Sequence, residues 1–321
     1  MNRFLSLLAF AGWVAVSGCV RPKAYSPTTG RIQTITLPTE TARIERGRYL
    51  ANHVAVCMDC HSKRDYNRLA GPLVPGTLGG GGEEFGKNYG LPGTYYAKNI
   101  TPFALKSWSD TEVLLAMTAG VSKDGKPLFP LMPYANYGQM DETDAVAIVA
   151  YLRTLEPIAN PVPPSRPIAP MKLAMKLMPH KARFQDMPTR KNSVEYGRYL
   201  VTLAGCQDCH TKRGMGGLTK KAAFAGGTEI RLANGMLRTA NITPDPETGI
   251  GTWTKADFIR RFKTYDPATF PAPEAGSGFN TVMPWTLYAG MTEQDLGAIY
   301  DYLKTVKPIR NKVAFFRTHG L

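Results

Sequence analysis

The sequence is poor in cysteine, histidine and acidic residues, and each shortage excludes a class of protein. Five cysteines occur in 321 residues, and four of them fall in two Cys-x-x-Cys-His motifs, so none remain to build a disulfide framework. There are only five histidines, and 25 acidic residues face 39 lysines and arginines, for a formal charge of +14. No internal apolar run approaches the ~20 residues that a membrane-spanning helix needs.

The two Cys-x-x-Cys-His motifs, Cys57–His61 and Cys206–His210, are the most informative stretches of the chain. Two thiols three positions apart at the end of a helix reach the two vinyl groups of one porphyrin and form thioether bonds with it. The histidine that follows is carried under the iron as its proximal ligand. The motifs therefore predict two covalently bound haems c, with the following residues at the two sites: Cys57, Cys60 and His61; Cys206, Cys209 and His210.

Two other uses of paired cysteines fit the sequence less well. A zinc site needs four ligands, and each half of the chain supplies one cysteine pair only. A zinc ion shared between both pairs would leave the adjacent histidines unexplained. A thioredoxin-like redox pair follows a strand, whereas the stretch before each motif has a helical pattern.

The chain repeats itself with a period of about 150 residues, which indicates duplication of one domain. Four patterns recur in the same order: Gly-Arg-Tyr-Leu at 47–50 and 197–200, Asn-Ile-Thr-Pro at 99–102 and 241–244, Met-Pro-aromatic at 132–134 and 283–285, and an apolar helix pattern at 148–155 and 299–306. Two copies are too few for a solenoid.

The repeat predicts an all-α fold, mostly helical with long loops, in which two tandem cytochrome c-type domains each wrap around a covalent haem. Helices are expected over 41–59 and 193–208, with Ser109 and Thr254 as N-caps of the next long helix in each copy. The expected boundaries are a signal peptide at 1–18, a tether at 19–40, a first domain at 41–157, a proline-rich linker at 158–192 and a second domain at 193–321.

The N-terminus has the pattern of an export signal. Arg3 precedes an apolar stretch, and Val16-Ser17-Gly18-Cys19 resembles a bacterial lipobox. In such signals the peptidase cuts before the cysteine, which then carries a lipid, so Cys19 is the predicted lipidation site. The alternative is an ordinary signal peptide with an incidental cysteine. Either way the protein is expected on the periplasmic side, where c-type haem is attached, and with lipid it is anchored to the inner or outer membrane.

Methionine is the predicted sixth ligand of each iron. The three histidines outside the motifs do not recur between the copies, whereas Met132 and Met283 do, 71 and 73 residues after their motif histidines. Each precedes a proline, which fixes a turn, and an aromatic residue, which shields the thioether from water. Met140 and Met291 also recur, at the start of a helix, and are the alternative ligands.

The surroundings of the haems are less clearly marked. Asn99, Trp108, Asn241 and Trp253 are candidates to contact haem propionates, and such contacts tune a reduction potential. The alternative is that Asn-Ile-Thr-Pro is a turn and that the tryptophans belong to the core. A carbonyl near Gly71-Pro72 is a candidate to hold the ring of His61, although the second copy has two glycines in its place.

The basic charge predicts a protein partner with an acidic docking face, or contact with anionic lipid. Nucleic acid is excluded by the export signal, by the spread of lysine and arginine along the chain, and by the lack of any recognition motif.

The chain resembles the multi-haem cytochrome c subunits of bacterial membrane-bound alcohol, aldehyde and gluconate dehydrogenases. The resemblance covers Gly47 to Pro308 and rests on Gly-Arg-Tyr-Leu, on residues 124–134 and 241–251, and on the proline-rich linker. It implies covalent haem, His/Met ligation and passage of electrons toward quinone or a terminal oxidase. Those subunits usually carry three haem motifs and this chain has two, so a free-standing, lipid-anchored shuttle fits as well as a complex subunit.

Two functions of different classes follow from these features. The first is a di-haem electron carrier, not itself an enzyme, between a periplasmic or membrane dehydrogenase donor and a respiratory acceptor on the oxidase or quinone side. The second is a di-haem peroxidase-type enzyme in which one haem keeps an open position for hydrogen peroxide. The similarity of the two copies favours the carrier. The altered stretch 271–280 before Met283 keeps the enzyme open as the alternative.

Overall fold

The computed structural model describes residues 34–86, 89–214 and 217–318. Helices are numbered along the chain: α1 Thr41–Tyr49, α2 Cys57–His61, α3 Pro102–Leu105, α4 Asp110–Ala119, α5 Tyr134–Tyr137, α6 Glu142–Arg153, α7 Ala169–Ala174, α8 Ser193–Leu203, α9 Cys206–His210, α10 Lys255–Lys263, α11 Trp285–Tyr288 and α12 Glu293–Leu303. None of the described helices is long and apolar enough to cross a bilayer.

Short antiparallel strands accompany the helices, so the prediction of an all-α fold is too narrow. They are β1 Glu84–Phe85, β2 Gly93–Tyr96, β3 Arg166–Pro167, β4 Arg213–Gly214, β5 Gly217–Leu218, β6 Glu229–Leu232, β7 Gly235–Arg238 and β8 Phe316–Thr318. They form sheets in the orders β1-β2-β3, β4-β5 and β6-β7-β8. All of them lie outside the long helices, and at two to four residues each they are too short to show a sustained alternation of apolar and polar residues.

The core of each copy is a crossing of its first and last long helices, α1 with α6 and α8 with α12. A glycine lies at each crossing. A Cβ atom added at Gly47 would lie 1.9 Å from the carbonyl oxygen of Ala147, and one at Gly197 would lie 1.9 Å from that of Ala298. The glycine of Gly-Arg-Tyr-Leu therefore recurs because only glycine lets the two backbones approach so closely.

The predicted helix starts are confirmed. Ser109 and Thr254 cap α4 and α10 in complete capping boxes, with Glu112 and Asp257 as the third helical residues. Each pair satisfies two backbone donors that a helix leaves exposed at its N-terminus.

The helix leading to the first motif is not the continuous helix that was predicted. It changes at Leu50–Val54 to a π-helix, whereas α8 in the second copy is regular. The first copy has one more residue than the second between Leu50 and Ala55, and a π-turn absorbs a single inserted residue without breaking the helix. The residue just before each motif adopts the left-handed conformation, which suits Gly205 better than the β-branched Val56.

The linker is packed on the first domain rather than simply extended. β3 pairs with β2, and the main chain of Arg183 and Gln185 donates to Gly138 and Met140. No residue of α7 is buried, and only Met175, in the 3-10 turn Met175–Leu177 that follows, reaches the core. Within the predicted tether, residues 34–40 are described, and Ile35 and Leu37 pack against the hydrophobic core.

The two copies of the repeat meet through a reciprocal pair of tyrosine–aspartate hydrogen bonds. The Tyr49 hydroxyl donates to Asp295 at 2.7 Å, and the Tyr199 hydroxyl donates to Asp144 at 2.8 Å. Tyr49 and Tyr199 are equivalent in the repeat, and so are Asp144 and Asp295. Burial and the facing carboxylate raise the pKa of both tyrosines, so both hydroxyls remain donors. The interface is therefore pseudo-twofold.

We expect the two interface aspartates to respond differently to neutralisation. Asp144 accepts two hydrogen bonds from Arg46, at 2.8 and 2.9 Å, so Asp144→Asn leaves a largely buried guanidinium without its anion. That should cost roughly 2–4 kcal/mol of unfolding free energy. Asp295 is fully buried, its Oδ1 has no hydrogen bond, and Arg190 lies 3.9 Å away.

Asp295→Asn therefore removes a poorly compensated charge and keeps an oxygen for Tyr49, so it should change the unfolding free energy by no more than about 1 kcal/mol. Urea unfolding of the two variants beside the parent protein measures the difference. Equal losses of unfolding free energy in both variants would contradict the conclusion that Arg46 compensates the charge of Asp144 while Asp295 lacks such a partner.

Candidate haem sites

The four motif cysteines lie on two short helices, α2 and α9, and none of them forms a disulfide. Cys57, Cys60 and Cys206 are half-buried, and Cys209 is exposed. Residues three apart on a helix share a face, so each pair presents two thiols in one direction. Burial raises the pKa of the Cys57, Cys60 and Cys206 thiols to about 12, which keeps them protonated.

Each motif histidine is oriented by a backbone carbonyl. Nδ1 of His61 lies 2.6 Å from the carbonyl oxygen of Lys98, and Nδ1 of His210 lies 2.8 Å from that of Ala240. Since a carbonyl only accepts, the proton is on Nδ1 and the Nε2 lone pair is available to a metal. Burial lowers the pKa of both rings and thereby favours this neutral form.

The carbonyl near Gly71-Pro72 is therefore not the partner of His61, and that expectation is wrong. The true partners immediately precede Asn-Ile-Thr-Pro in both copies. The recurrence of this motif after each histidine is the only signal in the sequence for these partners, and its spacing differs, with the carbonyls 37 and 30 residues after the two histidines. A carbonyl belongs to every residue and leaves no mark in a sequence.

Asn99 and Asn241 brace the loops that carry these carbonyls. Oδ1 of Asn99 accepts hydrogen bonds from the amide and hydroxyl of Thr101, and its Nδ2 donates to the carbonyl oxygens of Ile158 and Asn160. Asn241 bonds in the same way with Thr243 and donates to the carbonyl oxygen of Ile309. The two side chains thus form the turn that was one of the two alternatives, and their propionate contacts remain a prediction.

Trp108 and Trp253 are half-buried and pack against the core. Their main-chain carbonyls accept hydrogen bonds from Arg153, at 2.6 Å, and from the hydroxyl of Tyr300, at 2.7 Å. These contacts tie each tryptophan to the last long helix of its copy. A propionate contact of either indole stays a prediction.

The loops of Met132 and Met283 are tied to the start of the haem motifs. In each copy the short helix after the methionine ends in a tyrosine whose hydroxyl donates to the residue two positions before the first motif cysteine. Tyr137 donates to Ala55 at 2.8 Å, and Tyr288 donates to Ala204 at 2.6 Å. Met132 and Met283 are half-buried at the edge of the core. Their predicted ligation is thus supported by a loop anchored to the attachment helix.

The alternative ligands occupy a different environment. Met140 and Met291 have exposed fractions of 0% and 1% and belong to the hydrophobic core at the start of α6 and α12. Methionine is a common core filler because its side chain adapts to irregular gaps.

The donor sets fit haem better than zinc. Over the described residues, no group of three or more His, Cys, Asp or Glu side chains is placed to hold a metal ion. Each copy instead offers two thiols on one helix face, a neutral imidazole with Nε2 available and a thioether on a nearby loop, which are the groups that hold a haem c.

Charged groups beside the motifs were not predicted. Asp59, inside the first motif, pairs with Arg64, whose guanidinium is buried and also donates to the carbonyl oxygens of Ala70 and Gly71. Asp208, at the equivalent position of the second motif, accepts a hydrogen bond of 2.7 Å from Asn136 of the first domain. The interface thus reaches the second motif itself.

No family model matches the sequence, but curated proteins do. The chain is 31% identical over 277 residues to the fructose dehydrogenase cytochrome subunit of Gluconobacter japonicus, which covers 82% of this chain and 52% of that protein. It is 34% identical over 121 residues to the cytochrome c subunit of alcohol dehydrogenase (quinone) from Gluconobacter oxydans, covering 36% and 22% of the two chains. It is 30% identical over 112 residues to a diheme cytochrome c-type protein of Cereibacter sphaeroides, covering 35% and 36%.

The chain spans about half the length of the fructose dehydrogenase subunit that it matches. A further relative is named as the cytochrome c subunit of a gluconate 2-dehydrogenase. Together with the haem-attachment motifs, these matches imply covalent haem c. The chain is a homologue of the cytochrome c subunits of bacterial fructose, alcohol and gluconate dehydrogenases.

Proposed function

We propose that the protein binds two haems c and carries electrons from a dehydrogenase to a respiratory acceptor, without a substrate site of its own. The observation that carries this proposal is the recurrence of a whole site: cysteine pair, carbonyl-oriented histidine, and methionine loop tied to the attachment helix. A haem held in this way supplies one-electron exchange between ferric and ferrous iron.

The protein's own residues act by holding each haem. Cys57 and Cys60, and likewise Cys206 and Cys209, would form the thioether bonds. His61 and His210 would ligate through Nε2, while the carbonyls of Lys98 and Ala240 keep the rings from turning.

Met132 and Met283 are proposed as the opposite ligands. Because a thioether stabilises ferrous iron relative to stronger donors, they raise the reduction potential and suit an acceptor of electrons from a substrate-oxidising enzyme. A haem held by both a histidine and a methionine would leave no coordination position for a substrate.

The stretch 271–280 does not favour the peroxidase alternative. It replaces the segment that precedes Met132 in the first copy, and it is packed against residues 67–70 of the first domain. The amide of Leu69 donates to the carbonyl oxygen of Pro273, and the amide of Ala275 donates to that of Asn67, each at 2.8 Å. The residues at 271–280, which differ from those of the first copy, thus form a contact between the two copies.

The partner is proposed to be a dehydrogenase with an acidic docking face, and the surface offers a matching patch. Leu173 and Leu177 are 65% and 69% exposed in and just after α7, and each is preceded by a lysine. Apolar contact surrounded by basic charge suits an acidic protein partner. The proposal also includes export and a lipid anchor on Cys19. Cys19 belongs to residues 1–33, which lie outside the described part of the chain.

Absorption spectra with and without hydrogen peroxide test the proposal against its alternative. If both haems are six-coordinate, the spectrum of the oxidised protein is low-spin and does not change on addition of peroxide. A high-spin fraction that shifts with peroxide would mean that one iron has an open position, and the proposal of a simple carrier would be wrong.

A further inference from the structure

The loop that carries Met283 is held by a side chain that reaches into the other domain. Asn280 has an exposed fraction of 3%, and its Oδ1 accepts hydrogen bonds from the amides of Ala70, at 3.0 Å, and Thr281, at 2.8 Å. The hydroxyl of Thr281 in turn accepts from the amide of Met283 at 3.0 Å. Three hydrogen bonds in series therefore join Met283 to the first copy.

The opposite end of the same amide group is also engaged across the interface. Nδ2 of Asn280 donates to the carbonyl oxygen of Tyr66 at 2.8 Å. Since Oδ1 and Nδ2 both bond to the segment 66–70, the orientation of the amide is fixed. An amide buried here without partners would lose the full value of its hydration. Its pairing therefore adds to the hydrogen bonds of Leu69 and Ala275 that already join the two segments.

The segment that receives Asn280 belongs to the first haem site. It begins five residues after His61, and the carbonyl oxygen of Ala70 accepts a hydrogen bond of 2.5 Å from Arg64. Arg64 is the residue that pairs with Asp59 inside the first motif. A continuous series of polar contacts thus runs from the first haem motif to the predicted ligand of the second haem.

The segment that precedes Met132 in the first copy is held by contacts within that copy. The amide of Leu128 donates to the carbonyl oxygen of Gly120 at 2.8 Å, and the amide of Met132 donates to that of Phe129 at 3.3 Å. The ring of Phe129 stacks on Tyr95 with centroids 3.8 Å apart. All of these partners are in the first domain, so this loop is braced from within.

We propose that Asn280 is a positioning residue for the second haem and that ligation by Met283 depends on the first domain through it. The inference rests on the proposed ligation by Met283. It also explains why residues 271–280 differ from the corresponding segment of the first copy. The segment before Met283 is held against residues 66–70 of the first copy, whereas the corresponding segment before Met132 is held within its own copy. The two irons then differ in how firmly their methionine is held, although their ligands are the same.

Imidazole competes with a methionine ligand for ferric iron, and its binding therefore measures how firmly the methionine is held. For Asn280→Ala we expect one of the two haems to bind imidazole about tenfold more tightly, the factor that corresponds to loss of a buried hydrogen bond. The second haem should be the one affected, as identified by Met283→Ala. Amide hydrogen exchange at Ala70 and Thr281 should accelerate in the same variant, which gives a readout independent of the haem.

Two further variants keep the test decisive. Asn280→Asp keeps the shape but replaces the donor to Tyr66 with a buried carboxylate oxygen that faces the Tyr66 carbonyl, so an increase in imidazole affinity at least as large as in Asn280→Ala is expected. Asn234 donates to the carbonyl oxygen of Gly278 at 2.6 Å within the second domain, and Asn234→Ala is the matched control that should leave both haems unchanged. Haem content of two per chain confirms that each variant is folded.

The outcomes separate this inference from the proposed function. Unchanged imidazole binding in Asn280→Ala, or an equal change at both haems, overturns the positioning role while ligation by Met283 stands. If Met283→Ala itself leaves both haems unaltered, the proposed ligation fails, and the inference fails with it.

Discussion

Replacing Cys57 and Cys60 together with serine should lower the haem content of the purified protein from two per chain to one. Serine forms no thioether, and without covalent attachment the first haem is held by its iron ligands alone. Pyridine haemochrome absorbance and the intact mass of the chain measure the change directly. The mirror variant, with Cys206 and Cys209 replaced, should also retain one haem.

The separation of the two sites explains why one haem should survive. Each motif lies on its own short helix, with its own carbonyl partner for the histidine and its own tyrosine tie to the methionine loop. Loss of both haems in either variant would mean that the two copies fold only as a unit. Retention of both would mean that the motif does not attach haem.

The second large effect is expected on the iron ligands. For Met132→Ala and for Met283→Ala, we expect half of the haem to become high-spin when oxidised and its reduction potential to fall by on the order of 100 mV. Alanine cannot ligate, so water takes the position, and water stabilises ferric iron. Spectroelectrochemical titration resolves the two haems in each variant.

Met140→Leu and Met291→Leu are the matched controls. Leucine fills nearly the same volume in the core, and such substitutions usually cost less than about 1.5 kcal/mol. Neither should change the spin state if the thioethers of Met132 and Met283 are the ligands. The opposite result would be a high-spin haem in a Met140 or Met291 variant and an unchanged spin state in the Met132 and Met283 variants. It would mean that Met140 and Met291 are the ligands.

The features that the sequence predicts well are those that the repeat displays twice. The N-caps Ser109 and Thr254 and the last long helix of each copy follow directly from periodicity and capping chemistry. The recurring glycines Gly47 and Gly197 are found again as points of close helix contact.

The features that it does not predict depend on backbone atoms or on pairing between distant segments. The partner carbonyls of Lys98 and Ala240 carry no side-chain signature. The π-helix arises from a single extra residue, visible only when both copies are aligned. The strands are two to four residues long, and tertiary pairing rather than local propensity decides them.

The interface between the domains was the largest gap in the prediction. Tyr49 and Tyr199 were recognised as parts of a repeat, but their partners are 246 and 55 positions away in the chain. The stretch 271–280 departs from the first copy, and from the sequence alone that departure keeps the peroxidase alternative open. The stretch packs against residues 67–70. Residues that differ between two repeats can therefore be the ones that hold the repeats together.

The absorption spectrum of the oxidised protein, normalised to haem per chain, tests the central claim most directly. Two low-spin haems per chain, with the far-red band of ferric methionine ligation at an intensity that accounts for both, are the predicted result. Half of that intensity, together with a high-spin band from the other haem, would contradict a carrier in which both irons have histidine and methionine ligands.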